Sequence, residues 1–227
     1  MIELVVFDMA GTTVHDGDAV NLAFREALST AGLSVDPSEV NGVMGLAKPE
    51  AIRRLLGSSA TDPRIEAIHA EFVSRMQRYY ATHPAVREVD GASRVFSELR
   101  REGVKVALNT GFSRGIVEAI FQRLGWDVPG TMDGWISSDE VPRGRPAPDM
   151  IRELQRRLGV SVTRRIAKVG DTPADLEEGY FSGCGLNIGV TTGAFSRRDL
   201  ERFPHTHIVE SIVEVPALIL TAGISGD

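Results

Sequence analysis

The chain has 227 residues, 42% of them hydrophobic and 25% charged, with a net charge of −6. This is globular composition at a length that suits one large α/β domain or an ordinary core with a smaller insert, and the acidic balance argues against nucleic acid or anionic membrane and for a small-molecule ligand. A single cysteine, Cys184, excludes a disulfide framework and a Cys-rich zinc site; an apolar start broken by Glu3 and Asp8, with no run of bilayer length, leads us to expect a cytoplasmic protein.

Leu4 to Phe7 is a short apolar run with β-branched residues, the pattern of a strand covered on both faces, and it ends abruptly in Asp8 followed by Met9-Ala10-Gly11-Thr12-Thr13. Taken alone, such an aspartate serves equally well as the cap of a turn. Helical spacing runs from Ala19 to Ala31 and stops at Gly32. Further helical stretches cover Asp36 to Val40, Pro49 to Leu56 and Asp62 to Tyr80, with a loop through Met44-Gly45-Leu46-Ala47-Lys48. The region 17–83 therefore reads as an all-helical insert that interrupts a βαβ alternation. That alternation resumes with a helix at Ala92 to Arg101, a strand at Val104 to Leu108 and a helix at Ser113 to Leu124 capped by Ser113. A strand near Trp135 to Ser137, a Pro/Gly loop to Pro148, a helix from Asp149 to Leu158 and a strand from Arg165 to Val169 follow. A helix from Ala174, strands at Leu186 to Val190 and His207 to Val209, and a last helix near Val213 to Thr221 complete the pattern. The expected fold is α/β, a Rossmann-like doubly wound parallel sheet formed by 1–16 and 84–227, with 17–83 inserted.

In such a sheet ligands bind beyond the carboxyl ends of the strands, where Asp8, Thr110, Arg145 and the pair Asp171 and Asp175 would collect. Each has an ordinary explanation by itself: a turn residue, a solvated charge, a helix cap with one exposed acid. Together they suit one chemistry. Two carboxylates and a backbone carbonyl suit magnesium, and a hydroxyl, a helix N-terminus and a guanidinium suit a phosphate.

Asp8-Met9-Ala10-Gly11-Thr12, Asn109-Thr110-Gly111, Gly144-Arg145-Pro146 and Gly170-Asp171-Thr172-Pro173-Ala174-Asp175 resemble, in that order, the four motifs of the haloacid dehalogenase superfamily of phosphotransferases. The resemblance implies that Asp8 is a nucleophile forming an aspartyl-phosphate and that Thr110 and Arg145 hold the phosphoryl group. It places magnesium on Asp8, the carbonyl of Ala10 and Asp171, with Asp175 in support. Ala10, Gly11, Thr12, Met44, Gly45 and Gly111 would line the substrate site, and the insert would be a mobile cap. Relatives pair through this cap, which implies a homodimer.

Phosphate-ester members of the superfamily carry a second aspartate two positions after the nucleophile to protonate the leaving alcohol; here that position is Ala10. A leaving group stabilised in another way is implied, and a protonated imine would serve. Among 25 basic residues only Lys48, Lys105 and Lys168 are lysines, and lysine can attack a carbonyl where arginine cannot. Met44-Gly45-Leu46-Ala47-Lys48, together with Ala10 and Arg145, resembles the phosphonoacetaldehyde hydrolases, in which that lysine forms a Schiff base. Those hydrolases carry histidine and tyrosine where this chain has Ala51 and Phe112. The expected activity is magnesium-dependent cleavage of a phosphorus–carbon bond in a small phosphonate. The alternative is a phosphomonoesterase of the same superfamily, and a silent binding protein is a distant third. His15 and Asp18 are secondary candidates for the cleft, and His205 and His207 read as edge residues.

Overall fold

The structure is a computed structural model that describes residues 1–59 and 61–221. Residue 60 of the expected insert and residues 222–227 of the expected core lie outside the described residues. In chain order the elements are β1 (Leu4–Phe7), α1 (Ala19–Thr30), α2 (Pro37–Asn41), α3 (Lys48–Leu56), α4 (Arg64–Thr82), α5 (Ala92–Arg101), β2 (Lys105–Thr110), α6 (Arg114–Leu124), β3 (Gly134–Ser137), α7 (Asp149–Arg157), β4 (Ile166–Gly170), α8 (Pro173–Ser182), β5 (Leu186–Val190), α9 (Arg197–Leu200), β6 (His207–Val209) and α10 (Val215–Thr221). The six strands form one sheet in the order β3-β2-β1-β4-β5-β6, and every pairing is parallel. The doubly wound parallel fold expected from the sequence is the fold that forms.

β1 lies at the centre because every residue in it is buried and each of its edges is taken, Val5 pairing with Val106 on one side and Ala167 on the other. Alternation along the strand feeds two apolar layers. Leu4 and Val6 pack with Met150, Ile151 and Leu154, while Val5 and Phe7 pack with Phe96 and Leu99. The winding reverses direction beside β1, so the residue following it emerges at the switch point where open α/β sheets hold ligands.

Two local readings change. β2 runs on through Asn109 to Thr110, two residues beyond the expected end, because the backbone of those residues pairs with Ile136 and Ser137 of β3. Ser113 occupies the position before α6, but its hydroxyl makes no cap bond; the carboxylate of Asp139 accepts from Arg114 N instead, at 3.1 Å. A cap from a distant loop has displaced the local one.

The four helices α1 to α4 stand beyond the carboxyl edge of β1. α4 buries Ile68, Phe72, Met76 and Tyr80, one residue per turn, and packs on α1, α3 and the core helix α6. Phe96 joins Phe7 and Trp126 in the central layer, with ring centroids 5.4 and 5.6 Å away. Phe96→Ala is expected to cost about 3–5 kcal/mol of folding stability, as for other fully buried rings, measured by urea unfolding.

Candidate active site

Asp8, one residue past β1, is 4% exposed, and its N–H donates to Val169 O, which holds the carboxylate at the mouth of the sheet. Arg145 reaches it from the loop after β3, with Nη1 2.6 Å from Asp8 Oδ1 and 2.8 Å from Asp175 Oδ1. The rest of the guanidinium is fully engaged: Nε donates to Glu178, and Nη2 donates to the backbone and side-chain oxygens of Asn109, each at 2.7 Å. Lys168, buried in the middle of β4, completes the group by donating to Asn109 Oδ1 at 2.6 Å and pairing with Asp175 at 2.9 Å.

Carboxylate oxygens of Asp8, Asp171 and Asp175 lie within 4.8 Å of one another. Burial, and the charges of its neighbours, push Asp171 well above the usual carboxylate range, while burial raises Asp8 to about 6 against the opposing pull of Arg145. Asp175 is instead held low, because Arg145 and Lys168 outweigh its burial. The acids Asp8, Asp171, Asp175 and Glu178 outnumber the cations Arg145 and Lys168 by two. Hard oxygen donors with that imbalance fit a divalent cation. Asp175 is committed to its neighbours, one oxygen to the two cations and the other to the Thr172 hydroxyl at 2.6 Å, so Asp8 and Asp171 are the freer donors.

Above this floor a cavity of about 280 Å³ opens beneath the helices. Asp8, Ala10, Gly11, Met44, Gly45, Lys48, Thr110, Gly111, Arg145 and Asp171 all line it, which gathers most of the site expected from the sequence. Two expected members stand behind its wall. Thr12 is fully buried and donates its hydroxyl to Asp171 Oδ1 at 2.8 Å, and Asp175 lies beneath Arg145. His15 and Asp18 are on the wall, whereas His205 and His207 are exposed near the outer strand β6.

Lys48 opens α3, is 4% exposed, and points its amine among three rings, Nζ lying 5.7, 5.6 and 5.7 Å from the centroids of Phe24, Phe72 and Phe112. Those rings come from α1, α4 and the loop after β2. Burial lowers its pKa from 10.5 to about 8, and Asp16 followed by Asp8 resist that shift through their charge. The loop that carries Lys48 meets the core at contacts only glycine permits. A Cβ on Gly45, whose φ is +81°, would lie 2.2 Å from Thr172 Oγ1; one on Gly111 would lie 2.5 Å from Leu46 O.

The sequence reading overlooked Glu178, Lys168, Asp16, the phenylalanine cage, and the Thr192-Gly193 turn that closes on Gly11 and Asp171. Lys168 had a legible signal, a charge in an otherwise apolar strand. Glu178 lies seven residues after Asp171 on the buried face of α8, a weaker clue.

The chain matches the family model of the haloacid dehalogenase-like hydrolases over residues 2–179. It is 29% identical to the phosphonoacetaldehyde hydrolase of Bacteroides fragilis over 249 residues, covering 99% of this chain and 90% of that protein. A phosphonoacetaldehyde hydrolase-like protein from Oleispira antarctica superposes with a TM-score of 0.85 at 24% identity, covering 98% of this chain and 93% of that one, a likeness of fold. CbbY from Rhodobacter sphaeroides, solved in complex with phosphate, gives a TM-score of 0.79 at 25% identity, with 95% and 96% covered.

The Lys48 pKa is expected to be visible directly. Its folded value lies below its unfolded one, so the unfolded chain binds that proton more tightly and stability gains from this group as pH rises from about 8 to 10.5. In NMR of the ¹³C-methylated protein, the Lys48 resonance should titrate near 8; a midpoint near 10 would mean that the amine is in water.

Proposed function

The chain belongs to the haloacid dehalogenase-like hydrolases, and from that premise we propose that it is a magnesium-dependent phosphonatase that cleaves the phosphorus–carbon bond of phosphonoacetaldehyde or a similar phosphonate. The observation that carries this reading is Lys48: an amine shielded from water, with its pKa lowered to about 8, on the same cavity wall as Asp8. At neutral pH about a tenth of such amines are free to attack a carbonyl, against well under a thousandth for a solvated lysine.

In this reading the amine condenses with the aldehyde to an iminium, and Arg145 and Thr110 orient the phosphonate over Asp8. The Asp8 carboxylate attacks phosphorus. As the phosphorus–carbon bond breaks, its electron pair flows into the iminium to give an enamine, and the phosphoryl group stays on Asp8. Water then frees phosphate from the aspartyl-phosphate, and the enamine takes a proton on carbon before hydrolysis releases acetaldehyde. No proton is needed on the leaving carbon during bond cleavage, which accounts for Ala10 in place of an acid. Asp8, the Ala10 carbonyl and Asp171 would hold magnesium, with Asp175 in support, and the bound ion would supply positive charge to the phosphoryl oxygens. Residues 17–83 would act as a cap, and the close approach of Gly45 to Thr172 and of Leu46 to Gly111 supports its seating on the core.

A second reading, a phosphomonoesterase, is favoured by the same pKa, since most of the Lys48 population is still protonated at pH 7 and able to bind an anion. Borohydride separates the two. Incubation with phosphonoacetaldehyde and borohydride should attach the two-carbon unit to Lys48, detected by peptide mass, and Lys48→Ala should reduce acetaldehyde release to background. Phosphate-ester turnover that survives Lys48→Ala but not Asp8→Asn, with no trapped adduct, would overturn the phosphonatase reading.

A further inference from the structure

Imine chemistry moves protons at every stage, and neither Ala51 nor Phe112 near the amine has one to give. Among the described residues, the titratable groups on the cavity wall are Asp8, His15, Asp16, Asp18, Lys48, Arg145 and Asp171. Asp8, Arg145 and Asp171 belong to the phosphoryl floor, and Asp18 is exposed to solvent, which leaves the half-buried His15 and Asp16 beside Lys48. Asp16 is half-buried where the core segment meets the insert and is the foremost charge acting on the Lys48 amine. Its carboxyl is fixed by the fold: Oδ1 accepts from Val20 N at 3.2 Å in the first turn of α1, and its carbonyl accepts from Ala19 N at 3.0 Å. Nothing in the sequence singles it out. It follows a histidine and precedes a glycine in what reads as a hinge.

We propose that Asp16 is the acid–base residue for imine formation and imine hydrolysis at Lys48. The inference rests on the phosphonatase reading and adds a residue to it. In the first step the Nζ lone pair forms the N–C bond while the carbonyl π pair moves onto oxygen. The Asp16 carboxyl takes the surplus proton from nitrogen and delivers its own to that oxygen, leaving a neutral carbinolamine. In the second step protonated Asp16 gives its proton to the hydroxyl, the C–O bond breaks with its pair on departing water, and the nitrogen lone pair closes the C=N⁺ bond. An iminium then faces a carboxylate, and hydrolysis runs the same transfers in reverse.

The surroundings suit the role. Burial raises Asp16 to about 6, against the pull of its backbone bonds and of Lys48, so both of its forms are populated near neutral pH, the condition for efficient proton transfer. The charged and titratable groups facing it are Lys48 from α3, Asp18 from its own loop, Asp171 from the core, and Tyr79 and Tyr80 from α4. The two phenols are held above their ordinary range and remain neutral. Tyr80 keeps a buried hydroxyl with no partner among the described residues, and its ring packs against Phe112 of the amine's cage at 5.9 Å.

The test is the rate of borohydride trapping at Lys48 by phosphonoacetaldehyde, with magnesium present, in an Asp8→Asn background where phosphoryl transfer is blocked. Asp16→Asn, which keeps the oxygen that accepts from Val20, should slow trapping by about 10²-fold or more and flatten its pH dependence, and Asp16→Glu should restore part of the rate. A purely electrostatic Asp16 predicts the opposite sign: removing its charge lowers the Lys48 pKa further, frees more amine at pH 7 and speeds trapping. Trapping of Asp16→Asn at the parent rate or faster would overturn this inference and leave the phosphonatase reading intact. Absence of trapping in the Asp8→Asn parent and in the unmutated protein alike would remove both.

Discussion

Six ionisable side chains nearly out of reach of water, Asp8, Asp171, Asp175, Glu178, Arg145 and Lys168, are packed together at the carboxyl edge of the sheet. Removing any of them from solvent costs several kcal/mol, and the arrangement survives only because the pairs share hydrogen bonds through Asn109 and Thr172. The sheet provides the rigidity this requires. β1, β2 and β4 are adjacent and in parallel register, so Asp8, Thr110 and Asp171 leave the sheet side by side. Much of what lies above the sheet can be understood from the surplus of acids over cations at that edge.

Burial, reinforced by the neighbouring acids, holds Asp8 and Asp171 up, while Arg145 and Lys168 hold Asp175 down. Arg145 and Lys168 are both spent on Asp175 and Glu178, and only Arg145 also reaches Asp8. A site arranged in this way favours whatever brings positive charge to its open side. Helix α3 answers with a different device: an amine held by ring faces, which attract a cation weakly and hydrate it not at all. The amine's pKa is therefore brought down to about 8, and the acids of the floor beneath it are grouped so that they could hold a divalent cation.

The loop from Met44 to Lys48 connects these two halves physically. Its backbone touches the core where Gly111 and Thr172 leave room, so the position of Lys48 depends on glycines in two motifs far apart in sequence. Gly144 adds a third point, where a Cβ would come within 2.8 Å of Ala47 Cβ.

The sequence by itself determined the parallel α/β architecture, because short, doubly buried apolar runs alternating with amphipathic helices admit few other folds. It also determined which polar residues would meet at the strand ends, since the carboxyl edge of such a sheet collects whatever follows each strand. What those residues do to one another was decided by tertiary structure. The lowering of Lys48 needed three phenylalanines from separate elements; the Arg145 network needed Lys168 and Glu178, whose neighbours in sequence say nothing of their partners; Thr12 was turned away from the cavity by a hydrogen bond to Asp171, and Asp175 by ion pairs with Arg145 and Lys168. Ser113 shows the same limit on a small scale, as its local capping signal lost to a carboxylate from another loop. Periodicity and turn chemistry act over a few residues and can be read in order, whereas burial, charge balance and close backbone approach depend on distances that exist only once the chain has folded.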